Sequence, residues 1–158
     1  MQSESARMNS AAEARFRVAA ANSLPRSIAV IALDAVGEDA VRRLAAGVWP
    51  HATFLIAPPH GDVLIDLTGR ASQLAGEIAA ADLVVLVAGP GGHAHAAAAI
   101  GEACSLRRVM TTGFIVGARS SSDPELPKTL AQLRPWSLMV VIAGSDEYLD
   151  DMMTALRA

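Results

Sequence analysis

Short apolar runs alternate with amphipathic stretches along almost the whole chain. Residues 27–33 (Ser-Ile-Ala-Val-Ile-Ala-Leu) read as a buried strand. Residues 37–46 place Val41, Leu44 and Ala45 on one helical face, with Gly47 as the stop. Strands follow at 53–57 and 63–67, joined by the turn Pro58-Pro59-His60-Gly61. That link is too short for a parallel crossover, so the two are expected to run antiparallel. A helix is predicted over 72–80. Residues 83–88 are apolar throughout and predict a central strand covered on both faces. A helix over 92–105, a strand over 108–116, a loop over 120–127 and a partly helical stretch over 125–133 come next. A strand at 138–143 leads to a last helix through Leu156, capped by Ser145, with Asp146 and Glu147 in its first turn. This alternation predicts a three-layer, Rossmann-like α/β domain. It has about six mostly parallel strands, helices on both faces and a ligand crevice at the carboxyl ends of the strands. The domain is expected to span 25–158. Residues 1–24 are polar and Ala-rich, and are expected to form a tail or a helical arm, with a weak capping box at Ser10 and Glu13.

Composition narrows the function classes. The 158 residues carry a net charge of -3 and no basic stripe, which argues against a nucleic-acid partner. Hydrophobic residues make up 52% of the chain but aromatics only 4%, so the excess is Ala, Val, Leu and Ile. Such a surplus suits a tightly layered core and a homo-oligomer that hides apolar surface. No apolar run approaches the roughly 20 residues that span a bilayer, so no membrane partner is expected. The first residues lack a signal-peptide core, and the single cysteine excludes an internal disulfide. A cytoplasmic location is the expectation.

The most suggestive chemistry lies in Gly89-Pro90-Gly91-Gly92-His93-Ala94-His95, between the fourth strand and its helix. An apolar strand, a Gly-rich turn and a helix together present unpaired N–H groups and a partial positive charge to an anion. The expected ligand contacts are Gly89, Gly91, Gly92, His93 and His95, with the N–H groups of Gly91, Gly92 and His93 as main donors. The alternative is a tight turn that needs glycine for its own sake, and the sequence leaves both open. On a helix starting near Gly92 the two imidazoles diverge by about 200°, so no shared metal is expected. Either is better suited to a phosphate contact or acid–base work, because imidazole titrates near neutrality.

Across the crevice, Asp34 directly follows the first strand, a common functional position in doubly wound folds. With Glu38 it is placed to hold Mg²⁺ or a ligand hydroxyl, and Gly37 belongs to the same turn. The favoured reading is structural: Asp34 or Gly37 caps the first helix, with Glu38 in its first turn. Similar structural readings hold elsewhere. Asp66 faces solvent, and Thr68 or Ser72 caps the next helix. Cys104 is a buried small apolar residue. Trp49 and Trp136 anchor loops, and Asp150-Asp151 is a solvated helix face. Arg70 and Arg119 are candidates to reach a phosphate, with ordinary surface arginine as the alternative.

The order of elements resembles the GTP-binding half of the bacterial cell-division protein FtsZ and of the tubulins. Val87-Ala88-Gly89-Pro90-Gly91-Gly92-His93-Ala94-His95-Ala96 stands where that family has a Gly-rich signature loop wrapping the phosphates. Asp34-Ala35-Val36-Gly37-Glu38-Asp39-Ala40-Val41 stands at the family's first Gly-rich turn. Met110-Thr111-Thr112-Gly113-Phe114-Ile115-Val116 and Leu138-Met139-Val140-Val141-Ile142-Ala143-Gly144 fall at two later strands. The resemblance covers about residues 27–145 and implies a nucleotide, with or without Mg²⁺, as cofactor. The chain departs from the family at three points. The first loop gains Asp34 and Glu38, which repel a triphosphate unless Mg²⁺ intervenes. His93 and His95 stand near the family's threonines. The family's second domain, with its acidic hydrolytic loop, has no counterpart, so GTP-driven polymerisation is not expected.

The function expected from all this is binding of a small ligand, nucleotide or otherwise phosphate-bearing, between residues 34–38 and 89–95. A degenerate, non-binding homo-oligomeric interaction module is the alternative. An enzyme using His93 or His95 with Asp34 ranks third, because no nucleophile–base pair stands at a recognisable spacing.

Overall fold

Residues 28–32 and 83–88, apolar throughout, form adjacent strands in the interior of the sheet, where such a composition is tolerated. In a computed structural model describing residues 26–59, 62–120 and 122–158, seven strands form one sheet. They are β1 (Ile28–Ala32), β2 (Ala52–Ile56), β3 (Val63–Asp66), β4 (Ala71–Gln73), β5 (Leu83–Ala88), β6 (Met110–Ile115) and β7 (Met139–Ile142). Their order is β4-β3-β2-β1-β5-β6-β7. β1 pairs in parallel with both β2 and β5, and β5 with β6 and β6 with β7 likewise. β2 and β3 run antiparallel, as their short link requires, and so do β3 and β4.

The helices are α1 (Ala35–Ala45), α2 (Leu74–Ala80), α3 (Ala97–Arg107), α4 (Leu126–Leu133) and α5 (Glu147–Ala155). Alternate residues of β5 feed two separate cores. Val84, Leu86 and Ala88 pack with Leu74, Ile78, Ile100, Cys104, Leu126 and Leu133 from α2, α3 and α4. Leu83, Val85 and Val87 pack with Val41, Leu44, Leu149 and Met153 from α1 and α5. Burial on both faces is why β5 and β1 read as continuous apolar runs. The result is a three-layer, Rossmann-like α/β architecture.

Several boundaries differ from the sequence expectation. The strands number seven rather than about six, because residues 71–73 form β4 instead of opening a helix. The cause is a hairpin turn. The Asp66 carboxylate accepts from the N–H of Thr68, the hydroxyl of Thr68 and the N–H of Arg70, and Gly69 supplies a left-handed φ of 92°. These contacts hold the Asp66 carboxyl below its ordinary value. Neither Thr68 nor Ser72 caps α2, whose N-cap is Gln73 with no side-chain bond. α3 begins at Ala97, not near Gly92. α5 is entered from Asp146 rather than capped by Ser145. The expected arm over residues 1–24 lies outside the described residues. Among the described residues, no helix is long and apolar enough to cross a membrane.

The sheet-facing helices leave one position with room to spare. Gly76, inside α2, is exposed, and an added Cβ would meet nothing within 4 Å. Gly76→Ala is expected to stabilise the protein by about 0.5–1 kcal/mol, since alanine restricts the unfolded chain and favours helix. The midpoint of denaturant unfolding reads this directly; a loss of stability would contradict the placement of Gly76 in an open helical turn.

Candidate functional site

β1 leads through α1 to β2 on one side, while β5 leads through α3 to β6 on the other. Adjacent parallel strands whose connections diverge open a crevice at their carboxyl ends. Residues 34–38 and 89–96 face each other there, one segment following β1 and the other β5.

Asp34 joins the two segments. Its Oδ1 accepts from the Gly37 N–H at 2.7 Å, the N-cap bond of α1. The same carboxylate accepts from the Gly89 N–H, at 3.1 Å to Oδ1 and 2.9 Å to Oδ2. Asp34 is therefore the cap of the first helix and also the tie between β1 and the glycine loop. Burial raises its pKa above the usual 3.8; the amides of Gly37 and Gly89 and the nearby His93 pull it down, and burial prevails. An acid whose folded pKa is raised binds its proton more tightly in the native state than in the unfolded chain. Its ionisation therefore lowers stability as pH rises from 3.8 through the folded value. Asp34→Asn keeps an oxygen for the Gly37 and Gly89 amides and should remove that part of the pH slope. Asp34→Ala orphans both N–H groups and is expected to cost about 2 kcal/mol. Urea unfolding of the three proteins across this acidic window checks both; equal slopes for parent and Asn variant would contradict the assignment.

Gly37 is demanded by packing. A Cβ there would lie 2.1 Å from the carbonyl oxygen of Val87, so α1 rests directly on the β5 backbone. The glycine loop is bound as tightly, from an unexpected direction. α4 presents Thr129, fully buried, and Gln132 one turn on. The Thr129 hydroxyl donates to the Gly89 carbonyl at 2.8 Å and accepts from the Gly92 N–H at 3.0 Å. Gln132 accepts from the Ala94 N–H at 2.9 Å and donates to the Gly92 carbonyl at 2.8 Å. The Gly91 N–H reaches the Glu125 carbonyl at 3.2 Å. Gly92 has a left-handed φ of 76°, and a Cβ on it would approach Cβ of Lys128 to 2.9 Å.

Two expectations about this loop are corrected. Of the three N–H groups expected as the main anion donors, Gly91, Gly92 and His93, those of Gly91 and Gly92 are engaged within the protein. The glycines also do not stand at the helix N-terminus, because α3 starts at Ala97, five residues after Gly92, with no side-chain cap bond at Ala96. Sequence reasoning missed Thr129 and Gln132. The available signal was Thr129 itself, a polar residue three positions after Leu126 and four before Leu133, on the apolar face of the helix.

His93 and His95 lie in irregular chain before α3, both exposed. The divergence expected of a helix does not apply to them. Both line a cavity of about 440 Å³ with Asp34 and Glu38. Its remaining wall is apolar, from Leu33, Ala35, Ile56, Ala57, Pro58 and Ile65. Glu38 also pairs with Arg42 one turn along α1. A second hollow of about 460 Å³ lies between Pro90, Gly117, Arg119, Ser120 and residues 122–125. The first is the stronger candidate, because apolar walls with a few converging titratable groups mark ligand sites. Among the described residues, no three His, Cys, Asp or Glu side chains cluster as a metal site. Cys104 is buried, and burial pushes its thiol up against the opposing hydrogen bond from Thr111. No family model matches the chain, and no curated protein does.

Proposed function

We propose that the chain binds a small molecule in the crevice between residues 34–38 and 89–95. The observation that carries this is the cavity itself. Its volume of about 440 Å³ falls within the roughly 300–1,000 Å³ of ordinary ligand pockets. It also sits where the strand connections diverge. The ligand has an apolar body lying against Leu33, Ile56, Ala57 and Ile65, and a polar end meeting Glu38, His93 and His95. Its polar end is neutral or cationic. The lining holds two carboxylates and no Lys or Arg, and the amides of Gly91 and Gly92 are engaged, so a phosphate gains little here. A nucleotide, the ligand implied by the FtsZ and tubulin resemblance, remains within the proposal only through its base and ribose.

Thermal unfolding against nucleosides, nucleotides with and without Mg²⁺, and small amines tests this. A ligand at 100 times its Kd adds about 2.7 kcal/mol, a rise of roughly 2–4 °C or more. Neutral or cationic compounds should give the rise, and Ala35→Trp, which fills the cavity from an exposed helical position, should abolish it while leaving the unliganded protein folded. A rise confined to phosphorylated compounds would overturn the charge argument, and no rise with any compound would overturn the binding reading.

One observation favours a second reading, an interaction module built on copies of this chain. The β7 edge exposes large apolar side chains, among them Leu138 and Met139.

A further inference from the structure

The two edges of the sheet are unlike. β4 is three residues long, contains Ser72 and Gln73, and follows Arg70. Short, polar edges flanked by charge resist pairing with another strand. β7 has none of these protections. From Ser137 to Gly144 the sequence Ser-Leu-Met-Val-Val-Ile-Ala-Gly holds no charge and no proline. β7 pairs with β6 on one side, and among the described residues no strand pairs with the other. Two of its apolar side chains are exposed, Met139 at 53% and Ile142 at 43%, and Leu138 just before it is exposed at 77%.

We propose that β7 is a homodimer interface, joining two copies of this chain antiparallel into one continuous sheet. Three features select a second copy over another occupant. An open strand edge offers the alternating N–H and C=O groups that its own twofold mate requires, so a strand edge is complementary to itself. The charges flanking β7 are opposite at its two ends, Arg134 before it and Glu147 after it, Asp146 being paired with Arg43 of its own chain. Antiparallel pairing sets the basic end of one copy towards the acidic end of the other, whereas parallel pairing sets like against like. The apolar side chains, exposed and half-buried, also match across a twofold axis at Val140. Leu138 of each copy then lies opposite Ile142 of the other, and Met139 opposite Val141. The inference stands apart from the ligand reading, because β7 contributes nothing to the cavity of Asp34 and His93.

Sedimentation of the full chain over a concentration series, with two double variants, tests it. The parent is expected to dimerise. Leu138→Lys with Ile142→Lys places like charges opposite each other at two symmetric positions and should weaken the dimer at least tenfold. Leu138→Lys with Ile142→Glu places unlike charges there and should restore it. Far-ultraviolet circular dichroism identical to the parent would show that both variants fold. A parent that stays monomeric to the solubility limit, a dimer that the double lysine variant leaves intact, or equal weakening by both variants would overturn the proposal.

Discussion

Gly37→Ala is expected to cost about 3 kcal/mol or more, at the upper end of what an inserted methyl does in a packed interior. The added carbon would stand 2.1 Å from the carbonyl oxygen of Val87, with the Val87 carbonyl carbon at 2.8 Å. Neither atom can swing away, because both belong to the central strand. Val87 is fully buried, and its oxygen already accepts the Leu33 N–H at 2.9 Å. Relief requires α1 to lift from the sheet, which disturbs the contacts of Val41 and Leu44 and the Asp34 bonds to Gly37 and Gly89. The denaturant midpoint should fall sharply with little change in its slope. A loss below about 1 kcal/mol, the ordinary effect of a surface change, would mean that α1 does not rest on β5 as described.

Thr129→Val is expected to cost about 3 kcal/mol, although valine has nearly the same shape. The hydroxyl is buried and serves two backbone groups, the carbonyl of Gly89 and the N–H of Gly92. Replacing it orphans both, and an unpaired buried polar group costs about 1–3 kcal/mol. Because the deficit lies in the loop, the amide of Gly92 should also exchange its proton faster than in the parent. Thr129→Ser keeps the hydroxyl and should recover most of the loss. A valine variant as stable as the parent would show that the loop does not depend on α4.

These positions show what was legible in the chain. β1 and β5 were readable because burial on both faces leaves an unbroken apolar run. The antiparallel β2–β3 pair followed from the shortness of the residue 58–61 link. β4 was not readable: three residues with a small and two polar side chains carry no periodicity, and only the Asp66–Arg70 turn makes them a strand. Asp34 was legible as a helix cap, since capping is a local matter of a carboxylate three residues before an amide. Its bond to Gly89 was not, because 55 residues separate the partners. The engagement of the glycine loop was hidden for the same reason. Its partners Thr129 and Gln132 lie about 40 residues on, and a glycine-rich turn looks alike whether its amides face an anion or a neighbouring helix. The apolar cavity wall was likewise hidden in part: the β2–β3 pair was legible, but its position beside the end of β1 was not, because the sequence does not say which strand β2 joins.

The measurement that bears most directly on the account is an amide-resolved nuclear magnetic resonance titration of the full chain with a nucleoside, and separately with pyrophosphate. The account predicts that the nucleoside moves the resonances of Ala35, Ile56 and Ala57, while pyrophosphate leaves Gly91 and Gly92 where they were. Displacement of Gly91 and Gly92 by pyrophosphate, with the cavity residues unmoved by the nucleoside, would contradict it.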